Sequence, residues 1–234
     1  MEIQSPLHQI MQRYYMPVDR NLLYSYEELK RTNIDQQFIY ELLHTFEDVK
    51  SFSESDYRKF SLEVIIDYIR KTHHYYLAKK LCEIEQSISI LLKDYSGSHP
   101  LLRILSNFFS GYTRDLTAHI SIEEKQLLPY ITSLLAFDKG EIGYDKYFAA
   151  TESYSLKKFV DSHHDTEQDL SNVREAILNY QPPATNQTPY RILITQLQSF
   201  EMDLSVHALI EDNVLIPRAL KLEEKLNKFS YQKQ

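Results

Sequence analysis

Leu116-Thr-Ala-His119-Ile-Ser-Ile-Glu123-Glu-Lys-Gln-Leu127-Leu-Pro129 returns later in the chain as Leu204-Ser-Val-His207-Ala-Leu-Ile-Glu211-Asp-Asn-Val-Leu215-Ile-Pro217. Leucine, histidine, glutamate, leucine and proline keep the same relative places in both copies. One His-x-x-x-Glu is common on helices, by chance or as a surface contact. Two copies that also share their flanking leucines and a later proline point to a common task. Residues at i and i+4 lie on one helix face, with Cβ atoms about 5–6 Å apart, so an imidazole and a carboxylate can converge on one ion. The neighbours Ile120, Ile122, Leu127, Leu209, Ile210 and Leu215 imply that these helix surfaces are largely buried. A buried carboxylate is costly, and two that face each other also repel; metal cations remove both penalties. Two such carboxylates can bridge a pair of ions, which in two-metal sites lie about 3.5–4 Å apart. Mixed imidazole and carboxylate ligation suits iron or manganese, with zinc also accepted. Pro129 and Pro217 are expected to kink or end each helix just past the ligands.

The repeat lies on two of four long stretches with helical apolar periodicity. The first runs from about Ser61 to Tyr95 and ends at Ser96-Gly97-Ser98-His99-Pro100. The second runs from about Leu101 to Phe137 and stops at Asp138–Gly143. The third spans about Glu152–Tyr180 and is closed by Pro182-Pro183. The fourth covers about Tyr190–Lys228. Long helices joined by short connections predict an all-α, up-down-up-down four-helix bundle over residues 56–228. Residues 1–55 form an N-terminal helical appendage, with a short helix at Tyr26–Leu29 and another carrying Phe38, Leu42, Leu43 and Phe46. Ser51–Asp56 is a polar linker, and residues 229–234 are a tail.

Composition agrees. In 234 residues there are only four glycines, too few for the turns of a β-protein. The net charge of −7 argues against a nucleic-acid or anionic-membrane surface. Cys82 is the sole cysteine, which excludes an intramolecular disulfide, a four-cysteine zinc site and a cysteine-ligated cluster. Met1–Arg20 has no long apolar run, so neither a signal peptide nor a spanning helix is expected, and a cytoplasmic location is the default.

Further ligands should come from the first and third helices, which carry the pairs His73-His74 and His163-His164. At about 100° per residue, His73 and His163 fall nearer the middle of the apolar stripes and His74 and His164 at their edges, so periodicity leaves either member open. His99, in the turn before the second helix, is another candidate. Asp161, Asp165 and Glu167 could accept a ligand imidazole's second N–H. Most of the 18 tyrosines should be half-buried packing groups, with Tyr68 the one to follow toward the histidine pair.

The pattern resembles the hemerythrin-like, HHE cation-binding family. More closely it is similar to the di-iron proteins of the repair-of-iron-centres group, which act in iron–sulfur cluster repair after nitric oxide or oxidative damage. Ser55–Ile69 looks like that group's entry into its first bundle helix, and Thr72-His73-His74 matches its first ligand at His74. Leu116–Pro129 supplies His119 and Glu123, Ser162–Asp165 supplies His164, and Leu204–Leu220, the closest stretch, supplies His207 and Glu211. His99-Pro100 falls near another family histidine. The resemblance covers roughly residues 24–222 and implies two non-haem iron ions bridged by carboxylate and oxo groups. It also implies O2 or nitric oxide as a small ligand and damaged iron–sulfur proteins as partners. The alternative it leaves is a module that binds or senses O2 or nitric oxide without turnover. The chain departs from the group where a Cys-Cys segment is missing from the appendage, and at Tyr68, where a histidine is usual.

Overall fold

Apolar residues at three- and four-residue spacing dictate helices throughout. In the computed structural model, which describes residues 6–14, 16, 34–94, 100–152, 154–162 and 187–231, every long element is helical and no strand occurs among the described residues. Helices α1 (Pro6–Arg13) and α2 (Gln36–Glu47) precede the long stretches. The first of these is α3 (Leu62–Tyr75) and α4 (Leu81–Asp94), joined without interruption by a π-helical turn, Tyr76–Lys80. The second is α5 (Pro100–Ile122), a π-turn at Glu123–Leu127, and α6 (Leu128–Asp138). After α7 (Tyr144–Thr151), the third is described only at α8 (Leu156–Ser162). The fourth is α9 (Thr188–Ile210), a π-turn at Glu211–Leu215, and α10 (Ile216–Tyr231). The expected short helix at Tyr26–Leu29 lies outside the described residues. No helix among those described is long and apolar enough to cross a membrane.

The prolines behave differently from the expectation. Helix continues past Pro129 to Asp138 and past Pro217 to Tyr231. Proline lacks an N–H, and its ring crowds the carbonyl four residues earlier. Here the turn ahead of it is widened: the Leu128 N–H reaches back to the Glu123 carbonyl, and the Ile216 N–H to that of Glu211. Both widened turns begin on the glutamate of the repeat. The third π-turn, where the Leu81 N–H meets the Tyr76 carbonyl, has no proline, so proline is not its only cause.

The chain divides into two compact units. One comprises Met1–Phe52, Lys71–Thr117 and Asp165–His207; the other comprises Ser53–Arg70, Ala118–His164 and Ala208–Gln234. In the first unit, α1 was not anticipated. Eight residues need only Leu7, Ile10 and Met11 to make an apolar face, and that spacing hides among glutamines. Its end is fixed by chemistry rather than by apolar area. The Arg13 guanidinium is fully buried in an ion pair with Asp203, between the rings of Phe46 and Tyr75, each 5.4 Å from it. Gln9 donates to Ser199 (2.8 Å) and Tyr75 donates to Gln12 (3.2 Å). Helix α2 starts where the Asp35 carboxylate accepts from the Phe38 N–H, an ordinary N-cap.

The second unit has its own polar ties. Arg218 donates to the Phe60 carbonyl (2.8 Å), Lys225 meets Asp138 and Lys139 meets Glu63, both at 2.6 Å. The Phe137 and Tyr147 rings stack at 4.3 Å, anchoring α7.

Breaking a buried ion pair from one side leaves an uncompensated charge. Arg13→Met should therefore lower the unfolding free energy by about 3–5 kcal/mol in a denaturant titration, and Arg13→Met with Asp203→Leu should recover most of that loss. A loss below about 1 kcal/mol in the single variant would contradict this role for the pair.

Candidate metal centre

Helix phase decides which side chains turn inward. On α3, Ile65, Ile66, Ile69, Thr72 and His73 are buried, as is Tyr76 at the start of the π-turn that follows, whereas Asp67, Arg70 and His74 occupy the exposed face. Of the histidine pair it is therefore His73 that points into the first unit. There it meets His207 of α9, with ring centroids 5.0 Å apart and planes at 67°. The position matched by resemblance, His74, is exposed, because a one-residue step turns the side chain about 100° away from the apolar stripe. Tyr76, one turn after His73, sets its ring edge-on to His207 at 5.8 Å. Its hydroxyl donates to Asp203 Oδ1 at 2.8 Å, the carboxylate that also binds Arg13. Asp203 lies one turn before His207 on the same helix. Arg13, Asp203 and Tyr76 thus form a continuous polar support leading to His207.

The second unit supplies carboxylates. Glu123 opens one π-turn and Glu211 opens another; both are buried. His119, one turn before Glu123, brings Nε2 to 2.6 Å from Glu123 Oε1 and is partly exposed. The charges of Glu123 and Glu211, behind the larger effect of burial, push the Tyr154 phenol up to about 12. Tyr154 packs on Tyr130 with centroids at 4.9 Å, and Tyr130 donates to Glu223.

His73, Glu123, His207 and Glu211 are 1%, 1%, 8% and 2% exposed. The first unit offers imidazole nitrogens from His73 and His207, and the second offers carboxylate oxygens from Glu123 and Glu211. Two carboxylates and two neutral imidazoles carry a formal charge of −2, and all four side chains are buried. A divalent cation is the group this donor set fits: oxygen and nitrogen ligands, no thiolate, and two anionic charges to neutralise.

Of the expected ligands, His207 is buried in the first unit beside His73, Glu123 and Glu211 are buried in the second with His119 against Glu123, and His74 is exposed. His99 and His164 lie outside the described residues, as do His163, Asp165 and Glu167. Arg13, Asp203, Tyr76 and Tyr154 were not singled out by sequence. For Asp203 a signal existed: the repeat extends one residue further upstream, Asp115-Leu116 matching Asp203-Leu204. Asp115 nevertheless is exposed and pairs with exposed Arg114, so the same residue type is solvated in one copy and buried in the other.

No protein-family model matches the chain. It is similar to the iron-sulfur cluster repair protein ScdA of Staphylococcus haemolyticus, 24% identical over 151 residues, 64% of this chain and 64% of that protein. The alignment therefore spans less than two thirds of that relative's length. It is also similar to the iron-sulfur cluster repair protein YtfE of Salmonella paratyphi B, 27% identical over 168 residues, 71% of this chain and 70% of that one. The protein of the same name from Salmonella newport aligns to the same extent.

The phase of α3 gives a direct comparison. His73→Ala should weaken retention of a bound divalent metal by about tenfold or more, while His74→Ala should leave it within about twofold of the unsubstituted chain. Competition with a chelator reads the difference; the reverse ranking would contradict the inward placement of His73.

Proposed function

We propose that this is a non-haem di-iron protein that takes part in repairing iron–sulfur clusters damaged by nitrosative or oxidative stress. Its site would lie in a hemerythrin-like, up-down-up-down four-helix bundle in the cytoplasm. The observation that carries the reading is four buried ligating side chains, His73 and His207 in one unit and Glu123 and Glu211 in the other, with all but His73 contributed by the matched helix repeats. Similarity to proteins named for iron–sulfur cluster repair supports the biological role.

Each residue has a definable part. His73 and His207 present neutral imidazoles, and Tyr76, braced by Asp203 and Arg13, packs against the His207 ring. Glu123 and Glu211 bring the negative charge that draws and holds the cations, with His119 beside Glu123. His164 and His99 complete the set that the family resemblance implies. Leu127, Val206, Ile210 and Leu215, all fully or nearly fully buried, exclude water around the ligands. Iron held this way supplies a redox-active Lewis acid with room for a small diatomic molecule such as O2 or nitric oxide. Damaged iron–sulfur proteins are the macromolecular partners of this reading.

Elemental analysis of protein from iron-replete cells should find about two irons per chain, and Glu123→Ala with Glu211→Ala should abolish both. No transition metal, even after anaerobic reconstitution with ferrous iron, would overturn the reading. Imidazoles must be neutral and carboxylates ionised to bind, so iron retention should be complete near neutrality and fall as pH drops below about 6.5. A strain lacking the gene should recover iron–sulfur enzyme activity slowly after nitric oxide exposure. Normal recovery, together with reversible O2 or nitric oxide binding by the pure protein, would favour a sensing module instead.

A further inference from the structure

Helix α1 is eight residues long, too short to hold a helical shape in water by itself. It is a helix because it is docked. Its apolar face, Leu7, Ile10 and Met11, is small, and its polar and aromatic side chains reach the two segments that carry the buried histidines. At the end of α3, the Lys71 ammonium lies over the Tyr14 ring at 5.1 Å and Tyr75 donates to Gln12 at 3.2 Å. The Arg13 guanidinium lies 5.4 Å from the Tyr75 ring centroid. These contacts fall two residues to either side of His73. On α9, Gln9 donates to Ser199 at 2.8 Å and Arg13 pairs with Asp203, two turns and one turn before His207. All of these residues, with His73 and His207 themselves, belong to one compact unit.

Arg13 touches both segments at once. A guanidinium is a rigid planar fork with fixed donor directions, so it holds the Tyr75 ring and the Asp203 carboxylate in a set relation. The Tyr76 hydroxyl ties the same carboxylate at 2.8 Å from the π-turn after α3. Beside these anchors stand the two imidazoles, with ring centroids 5.0 Å apart. Shifting α3 against α9 would move the rings and break the Arg13 contacts together.

We propose that Arg13 is a positioning residue for the His73–His207 pair, so that docking of α1 and occupancy of the two imidazoles favour each other. The occupant is the cation of the metal reading above, on which this inference rests. Coupling is reciprocal. If docked α1 raises the affinity of the histidines for an ion, a bound ion stabilises docked α1 by the same factor. The N-terminal helix then registers whether the histidines are loaded.

Ferrous iron, added anaerobically to the full chain, is the probe, and amide hydrogen exchange followed by mass spectrometry is the readout. Iron should slow exchange at Ile10–Tyr14 about tenfold, an ordinary size for coupling between sites, and slow α7 far less. Equal slowing in α7 would be general stabilisation of the fold by a ligand and would overturn the proposal. Iron bound with no change at Ile10–Tyr14 would also overturn it and leave the metal centre standing. Arg13→Met with Asp203→Leu keeps apolar contact without a directional bond. In that double variant the iron-dependent slowing should shrink below about twofold and iron affinity should fall about tenfold. Full slowing retained there would remove Arg13 from the role. A chain that takes up no iron would overturn the metal reading itself, and this inference with it.

Discussion

Two buried carboxylates set the terms for this structure. Glu123 and Glu211 are almost wholly removed from solvent, and each stands one turn after a histidine on helices whose neighbouring side chains are apolar. Leaving carboxylates there uncompensated would cost several kcal/mol apiece, a large share of the roughly 5–15 kcal/mol that holds a domain folded. Proton uptake or cation binding are the available remedies. Buried imidazoles at His73 and His207 favour the cation, since neutral imidazole is a common metal ligand.

The backbone is adapted at the same places. π-turns begin on Glu123 and on Glu211, and a third begins on Tyr76, three residues after His73. Such turns cost regular hydrogen bonding and are frequent at functional sites. In the two repeat copies the widened turn also relieves the proline that follows, so one local distortion both aims the glutamate and lets the helix continue. A polar support stands behind His207. The Arg13 guanidinium, paired with Asp203, and the Tyr76 hydroxyl reach it from α1 and from the π-turn after α3, which links the N-terminal helix to His207 by direct contacts.

Much of this was legible in the chain because it is periodic. The extents of the long helices follow from apolar residues at three and four, and observed ends agree within a few residues: Leu62 and Asp94 against Ser61 and Tyr95, Thr188 and Tyr231 against Tyr190 and Lys228. The glutamates and repeat histidines were visible because they occur twice. The histidine pair was harder. Periodicity alone favoured His73 weakly, resemblance pointed to His74, and the structure turns His73 inward with the Ile66–Ile69 stripe. Arg13 and α1 were hidden because a buried arginine is explained only by its partner, 190 positions away in sequence. Continuation through Pro129 and Pro217 was missed because proline rules assume an α-helical turn before the ring.

Locating the metal itself tests the central claim most directly. Crystals of iron-loaded protein, with anomalous diffraction collected on both sides of the iron absorption edge, would show where the ions sit. The account predicts peaks about 2.0–2.2 Å from oxygens of Glu123 and Glu211 and from imidazole nitrogens of His207 and His73, with His74 directed away. Peaks elsewhere, His74 in the coordination sphere in place of His73, or no peak in iron-loaded crystals would contradict it.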